Sequence, residues 1–260
     1  MMKRIRLHPL WLMFLVLVCV LAGCANVPYT GRNQLVLISQ AQELQLGLQA
    51  SQEIKQTERM SNDSRYTRPV QEIGWRVAQA ANQPNYQWEF NVIDDPETVN
   101  AFCLPGGKIY VYTGLFQYAH DQHQLAAVIA HEVSHALARH GAERLSTGML
   151  AQVGQELAVS ASGVTSAEGM QAIKLAFGLG ANLGVILPFS RTQEYEADRI
   201  GLILMAQAGY DPRAAVVFWE NMLGKGSSLP EYFSTHPSTA NRIEEIKRHL
   251  PEAMYYYQRR

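Results

Sequence analysis

The sequence is short of cysteine. Three cysteines in 260 residues exclude the disulfide framework on which small secreted domains depend. Charge is also sparse. Asp, Glu, Lys and Arg make up 17% of the chain against 47% apolar residues, and the formal net charge is −1. That balance excludes a disordered chain, which lacks the apolar surface needed to fold. Without a basic excess there is no electrostatic footprint of a nucleic-acid binder, so no nucleic acid is expected as a partner. No internal repeat and no low-complexity block interrupts the chain. The length suits a single domain with a sizeable core.

Long apolar runs are few, and one stands at the start. Lys3, Arg4 and Arg6 precede an uncharged run from Leu10 to Leu21, which ends in Leu21-Ala22-Gly23-Cys24. A basic start, a short apolar stretch and small residues describe a secretory signal rather than a permanent span. The last step resembles a bacterial lipoprotein box, which implies cleavage before Cys24 and lipid on that cysteine. Residues 1–23 are then a lipoprotein signal peptide, 24–33 a tether over the surface and 34–260 the folded domain. Cleavage removes three cations and no acid, so the mature body is more acidic than its precursor. It leaves Cys103 as the one thiol of the body, which therefore has no internal disulfide. Ala25 in place of Asp after the lipidated cysteine resembles an outer-membrane destination. The expected location is the periplasmic face of a bacterial membrane. A second uncharged stretch, Leu175 to Phe189, contains Gly178, Gly180 and Gly184. It is too short and glycine-rich for a span and suits a buried helix or a mobile lid.

Residues 34–38 can form a short strand, and Ser39 starts a helix with Glu43 in its first turn and Leu44, Leu48 and Ile54 on one face. A second helix is expected from about Pro69 to Ala81, burying Val70, Ile73, Val77 and Ala80. Trp88, Phe90 and Val92 then alternate with polar residues, 99–103 follow, and Pro105-Gly106-Gly107 turns the chain into Lys108–Tyr112. These read as a three-stranded antiparallel sheet. From Leu115 the pattern is helical, with a last helix over Thr239–Leu250 and a frayed tail of tyrosines and arginines. The fold class is α+β and mostly α.

Leu125, Val128, Ile129, Val133 and Leu137 repeat at helical spacing, and the same helix carries His131-Glu132-Val133-Ser134-His135. Two histidines four apart project from one face about a turn apart, which lets both bind one Zn²⁺. Glu132 can reach a metal-activated water without being a ligand and serve as general base. A catalytic zinc needs a third protein ligand. A metzincin would have Gly at 138 and His at 141, where this chain has Ala138 and Gly141. Glu194-Tyr195-Glu196-Ala197-Asp198 offers the alternative. Glu194 and Asp198 share a helix face, Glu194 as ligand and Asp198 a turn deeper as hydrogen-bond acceptor for the far nitrogen of a ligating histidine, most simply His131. Glu196 reads as a solvated charge.

Four blocks resemble the HtpX and CAAX-prenyl-protease family of zinc metallopeptidases. They are Asn100-Ala101-Phe102 to Gly114, His131 to His140, Glu194 to Gly201, and Ser234-Thr235-His236-Pro237. The overall organisation is closest to the BepA-like periplasmic lipoprotein members, although no tetratricopeptide extension follows and the several membrane helices of other members have no counterpart. The resemblance implies a zincin-like, gluzincin fold, one zinc on His131, His135 and Glu194, and Glu132 as catalytic base. It implies a proton-donor role for Asp198, where the physical reading prefers an orienting one. It also brings in His236, either as an electrophile for the tetrahedral oxyanion or as a cap on the open zinc position.

The block around Asn100, Ile109, Tyr110 and Val111 resembles the family's substrate-side strand. An exposed edge on Lys108–Tyr112 would pair with an extended peptide, so unfolded or extended polypeptides are the expected substrates. The expected function is a lipid-anchored zinc endopeptidase acting on unfolded or misassembled envelope proteins. The alternative is a chaperone-like lipoprotein keeping a structural zinc.

Overall fold

The computed structural model describes residues 24–150, 189–224, 232–236 and 240–259. The signal-peptide reading of 1–23 and the lid or buried-helix reading of 175–188 lie outside the described residues.

Residues 24–33, expected as a tether, begin a docked hairpin. β1 (Cys24–Asn26) pairs antiparallel with β2 (Asn33–Leu35). Between them Tyr29 and Gly31 take positive φ of 64° and 69°, and Val27 is buried in the main core. A tether has no apolar residue to bury; Val27 supplies one. Helix α1 (Gln40–Thr57) starts with a capping box between Ser39 and Gln42. Helix α2 (Ser64–Ala81) begins five residues before Pro69, because the Asp63 side chain accepts from the Arg65 N–H and caps it there. The hydrogen bond that Pro69 cannot make belongs to the carbonyl of Arg65, an exposed residue, where water can serve. Val70, Ile73 and Val77 are buried, and Ala80 is partly so.

The sheet contains β3 (Glu89–Ile93), β4 (Ala101–Leu104) and β5 (Lys108–Tyr112) in the order β3-β5-β4. It is mixed rather than antiparallel. β4 and β5 form a hairpin, but β3 runs parallel to β5. The segment between β3 and β4 passes to the far side of β5, so β5 enters between the other two strands. Both faces are covered. Phe102 and Tyr110 pack toward α1 with Ile54 and Ala50, and Phe90, Ile109 and Val111 join the main core. Gly47 of α1 sits directly over the hairpin turn, where a Cβ would lie 1.9 Å from the Pro105 carbonyl oxygen.

A 3-10 turn (Thr113–Gln117) leads to α3 (Gln122–Leu137), whose first N–H groups are capped by Asp121. Every residue of α3 from Gln124 to Leu137 is buried. A further helix, α4, starts at residue 140 and is described to 150. Helix α5 (Arg191–Ala208) opens on a Ser190–Gln193 capping box and closes at Gly209 with φ 96°. It crosses α3 closely: a Cβ on Gly201 would stand 3.2 Å from the backbone nitrogen of His131. Helix α6 (Arg213–Gly224), the short α7 (Tyr232–Thr235) and α8 (Ala240–Gln258) complete the fold. α8 runs past Leu250 because Pro251 robs only the exposed Lys247 carbonyl of a partner. The expected frayed tail is therefore mostly helix, with Tyr256 and Tyr257 packed against the core. Among the described residues no helix is long and apolar enough to cross a membrane.

Candidate metal centre

Helices α3 and α5 bring the centre together. The Nε2 atoms of His131 and His135 lie 3.0 Å apart. Glu194 faces both, with Oε2 3.5 Å from His131 Nε2 and Oε1 3.4 Å from His135 Nε2. His236, just after α7, adds Nδ1 at 3.1 Å from Glu194 Oε1 and 3.3 Å from His131 Nε2. One ligand atom from each of the four residues falls within 4.8 Å of the others, and all four are buried. Ligands about 2.0–2.1 Å from a tetrahedral zinc stand about 3.3 Å from one another. Taking either oxygen of Glu194, the five separations run from 3.0 to 3.5 Å, close to that edge length, and two imidazoles with a carboxylate are zinc's ordinary donors, so the residues fit the ion.

The surroundings hold these groups in place. Nδ1 of His131 lies 3.0 Å from Asp198 Oδ1. Asp198 is gripped by Arg242, with Nε to Oδ2 at 2.6 Å and Nη2 to Oδ1 at 2.9 Å. Nη1 of the same guanidinium reaches Glu194 Oε2 at 2.7 Å, and its plane lies 4.1 Å over the Trp219 ring. Burial opposes ionisation of Glu194, but Arg242 and His236 outweigh it and hold the carboxyl well below its usual range. Asp198 is lowered in the same way, burial being overcome by Arg242. Burial dominates at Glu132 and raises its pKa, only partly offset by His236 and His131. It likewise pushes His135 well down, which favours the neutral imidazole that a metal binds.

Glu132 stands beside the cluster. Its Oε1 accepts a 2.8 Å hydrogen bond from the Tyr232 hydroxyl, while Oε2 is buried with no hydrogen-bond partner and is free to take a proton. A cavity of about 170 Å³ opens on the other side of His135. Phe102, Leu104, Pro105 and Phe189 give it apolar walls, and His236 and Arg144 border it. Phe189 stacks on His135 with centroids 3.8 Å apart.

Of the residues singled out in sequence, His131, Glu132, His135, Glu194, Asp198 and His236 converge here. The strand residues do not behave as expected. β5 is the central strand, and Ile109, Tyr110 and Val111 are each 0% exposed. It has no free edge, because β3 occupies the side a peptide would need. Asn100 is buried, accepting from Tyr112 N–H through its carbonyl and from Ala101 N–H through Oδ1. Glu196 is not solvated: it is 7% exposed and bound by Thr30 and Arg32. Cys24 opens β1 opposite Leu35.

Sequence reasoning missed Arg242, Tyr232, His140 and Arg32. Arg242 did leave a signal, since it falls on the apolar stripe that continues through Ile246 and Ala253, where an arginine needs a buried partner. Arg32 left none, because its carboxylate partners are more than a hundred residues away.

Residues 64–250 match peptidase family M48. The chain is 40% identical over 181 residues to the mitochondrial metalloendopeptidase OMA1 of Schizosaccharomyces pombe, covering 68% of this chain and 51% of that one. Against human OMA1 the identity is 32%, covering 87% and 46%. Against the beta-barrel assembly-enhancing protease of Escherichia coli it is 30%, covering 85% and 46%. The chain thus spans about half the length of these relatives.

Proposed function

The chain belongs to peptidase family M48, and from that membership and the buried cluster we propose that it is a zinc-dependent endopeptidase. Zinc, when bound by His131, His135 and Glu194, supplies Lewis acidity toward a carbonyl and a water. The chain's own residues do the rest. Glu132 takes a proton from the attacking water at Oε2 and delivers it to the leaving amine nitrogen as the C–N bond breaks. Tyr232 holds the other carboxylate oxygen and fixes the direction of Oε2. Asp198 keeps the proton of His131 on Nδ1, so that Nε2 stays free for the metal. The observation that carries this reading is Glu132 itself: a structural zinc has no use for a buried, half-satisfied carboxylate next to its ligands.

A peptide docks on β4 in this reading. Tyr112 N–H to Asn100 O at 3.0 Å marks 100 and 112 as a hydrogen-bonded pair. By alternation, Phe102 and Leu104 turn their main-chain groups to β5, and Val99, Ala101 and Cys103 turn theirs outward, the Ala101 N–H being taken by Asn100 Oδ1. Tyr232 N–H already takes the outward carbonyl of Val99 at 3.0 Å, and no strand pairs with this edge among the described residues. An extended segment added here lies along the cavity that also borders His135 and His236. Main-chain pairing tolerates many side chains, so unfolded or misassembled envelope proteins are the proposed substrates, held near the membrane by lipid on Cys24. The name of the E. coli relative supports a bacterial envelope setting, and Ala25 supports the periplasmic face of the outer membrane.

A second reading has its own observation. His236 gives the cluster four protein ligand atoms, and closed four-ligand sets are typical of structural zinc. Because His236 follows a four-residue helix rather than standing on α3 or α5, it suits a removable cap on a latent enzyme better than a permanent ligand.

The experiment is cleavage of an unfolded protein by wild type, Glu132→Gln and His236→Ala, each with measured zinc. Glu132→Gln is expected to keep its zinc and lose at least about 100-fold in rate. Equal cleavage by wild type and Glu132→Gln would leave the chaperone-like lipoprotein with a structural zinc. A rise in basal cleavage in His236→Ala assigns the cap, and a fall assigns oxyanion stabilisation.

A further inference from the structure

The two zinc-helix histidines are backed differently. Behind His131 stands Asp198, already given a role. Behind His135 runs a longer chain that the reaction does not use. Nδ1 of His135 lies 2.9 Å from Nδ1 of His140. The other nitrogen of His140, Nε2, faces Glu196 Oε2 at 3.4 Å. Glu196 receives Arg32 Nε at 2.6 Å and the Thr30 hydroxyl at 2.5 Å. Arg32 also forks onto Glu143 at 2.6 and 2.8 Å, and Glu143 takes Gln193 Nε2 at 2.7 Å. His140 is fully buried, yet the two residues that end the chain, Thr30 and Arg32, come from the turn between β1 and β2.

The protons in this chain can be ordered in one way. A His135 that offers Nε2 to a metal carries its proton on Nδ1. That proton is donated to Nδ1 of His140, which must be unprotonated to accept it. His140 then holds its own proton on Nε2, where the Glu196 carboxylate stands 3.4 Å away in ion-pair rather than hydrogen-bond geometry. A metal fixes the pattern at one end and an arginine-held carboxylate fixes it at the other. If Glu196 turned away, buried Nε2 of His140 would lose the carboxylate charge that favours a proton there, and either tautomer of His140 would serve. His135 would then lose its fixed acceptor.

We infer that Arg32 is a positioning residue for the metal centre: from the β1–β2 turn it holds Glu196 against His140, and His140 holds the ring of His135. The inference rests on the zinc reading above. It makes the hairpin that follows Cys24 part of the zinc site, so that its docking and zinc affinity rise and fall together.

The test compares the full chain with Arg32→Ala, Arg32→Lys, Glu196→Gln and the Arg32→Ala/Glu196→Gln double variant. Zinc affinity is read by competition with a chromophoric chelator, and melting temperature with and without zinc. Groups that orient ligands cost about 10- to 100-fold in metal affinity when removed. One step further out, Glu196→Gln is expected to weaken zinc by about 10-fold and Arg32→Ala by about 3- to 10-fold. Lysine keeps a charge but loses the fork, so Arg32→Lys falls between Arg32→Ala and wild type. The double variant is expected to be no weaker than the worse single one, and the zinc-loaded protein to lose more melting temperature than the zinc-free one. Affinity within twofold of wild type in Glu196→Gln, additive losses, or equal melting losses with and without zinc would overturn the inference. Should Arg32→Ala not fold, Arg32→Lys and Glu196→Gln decide on the same readouts. A wild type that binds no zinc defeats the zinc reading itself, whereas tight wild-type binding with unchanged variants defeats only this inference.

Discussion

Gly201 sets the distance between the two helices that share the metal. A methyl group there meets the His131 backbone nitrogen at 3.2 Å, so α5 must move away from α3 by a few tenths of an ångström, carrying Glu194 with it. Gly201→Ala is expected to cost about 1–3 kcal/mol of stability and to weaken zinc binding, which denaturant titration and chelator competition measure separately. Arg242 faces two buried carboxylates at once. Arg242→Met leaves both with histidines as their only remaining partners among the described residues and is expected to destabilise the zinc-free fold by about 3 kcal/mol; an unchanged denaturation midpoint would contradict that. Asp198→Ala separates its two assigned roles. With Nδ1 of His131 at 3.0 Å, the expected loss is about 10- to 100-fold in zinc affinity, whereas full zinc with no cleavage would make Asp198 a proton donor. The first group of site residues was legible because each pair sits four apart on one helix, as His131–His135 and Glu194–Asp198 do. Arg32 was not, since nothing local ties a turn near the start of the chain to a carboxylate 164 residues on.

At the scale of elements, the sheet shows where pattern stops informing. Alternation in Trp88–Val92 and Lys108–Tyr112 identifies strands but not neighbours. The turn at Pro105-Gly106-Gly107 fixes the β4–β5 hairpin, with φ of 77° and 87° at its glycines, yet no local signal says that β3 will flank β5 in parallel. The consequence falls on function, because the buried centre of the sheet was read as its edge. If β4 is the docking edge, Cys103→Pro removes an outward N–H without breaking the β4–β5 ladder. It is expected to lower kcat/KM on long substrates by up to about 10-fold with zinc content unchanged. The β3 edge is pinned electrostatically. Glu89 pairs with Lys108 at 2.8 Å and with Lys55 of α1. Burial raises its pKa, but the two lysines outweigh that and hold it below the usual carboxylate value. A depressed folded pKa contributes stability above the unfolded value and loses it as pH falls through the folded one. Glu89→Gln is therefore expected to flatten the loss of stability between about pH 5 and pH 3, relative to wild type in parallel melts.

For the whole molecule, zinc acts as a ligand of the native state. Free zinc at 100 times its dissociation constant stabilises by about 2.7 kcal/mol, worth roughly 5–10 °C in a domain of this size. Melting temperature is expected to climb with the logarithm of free zinc and to fall to a plateau in excess chelator; a midpoint indifferent to zinc would remove the metal from the native state. The ligand geometry also bears on the order of folding events. His131 and His135 are close in sequence, but His236 is 105 residues from His131, and Arg32 is 164 from Glu196. Contacts that distant form late, since long chain closures must precede them. An unfolded chain can offer zinc one histidine pair and little more. A complete centre therefore exists only in a chain that has finished folding, so under the proposed activity a newly made copy would not cut its unfolded neighbours before it had itself become native.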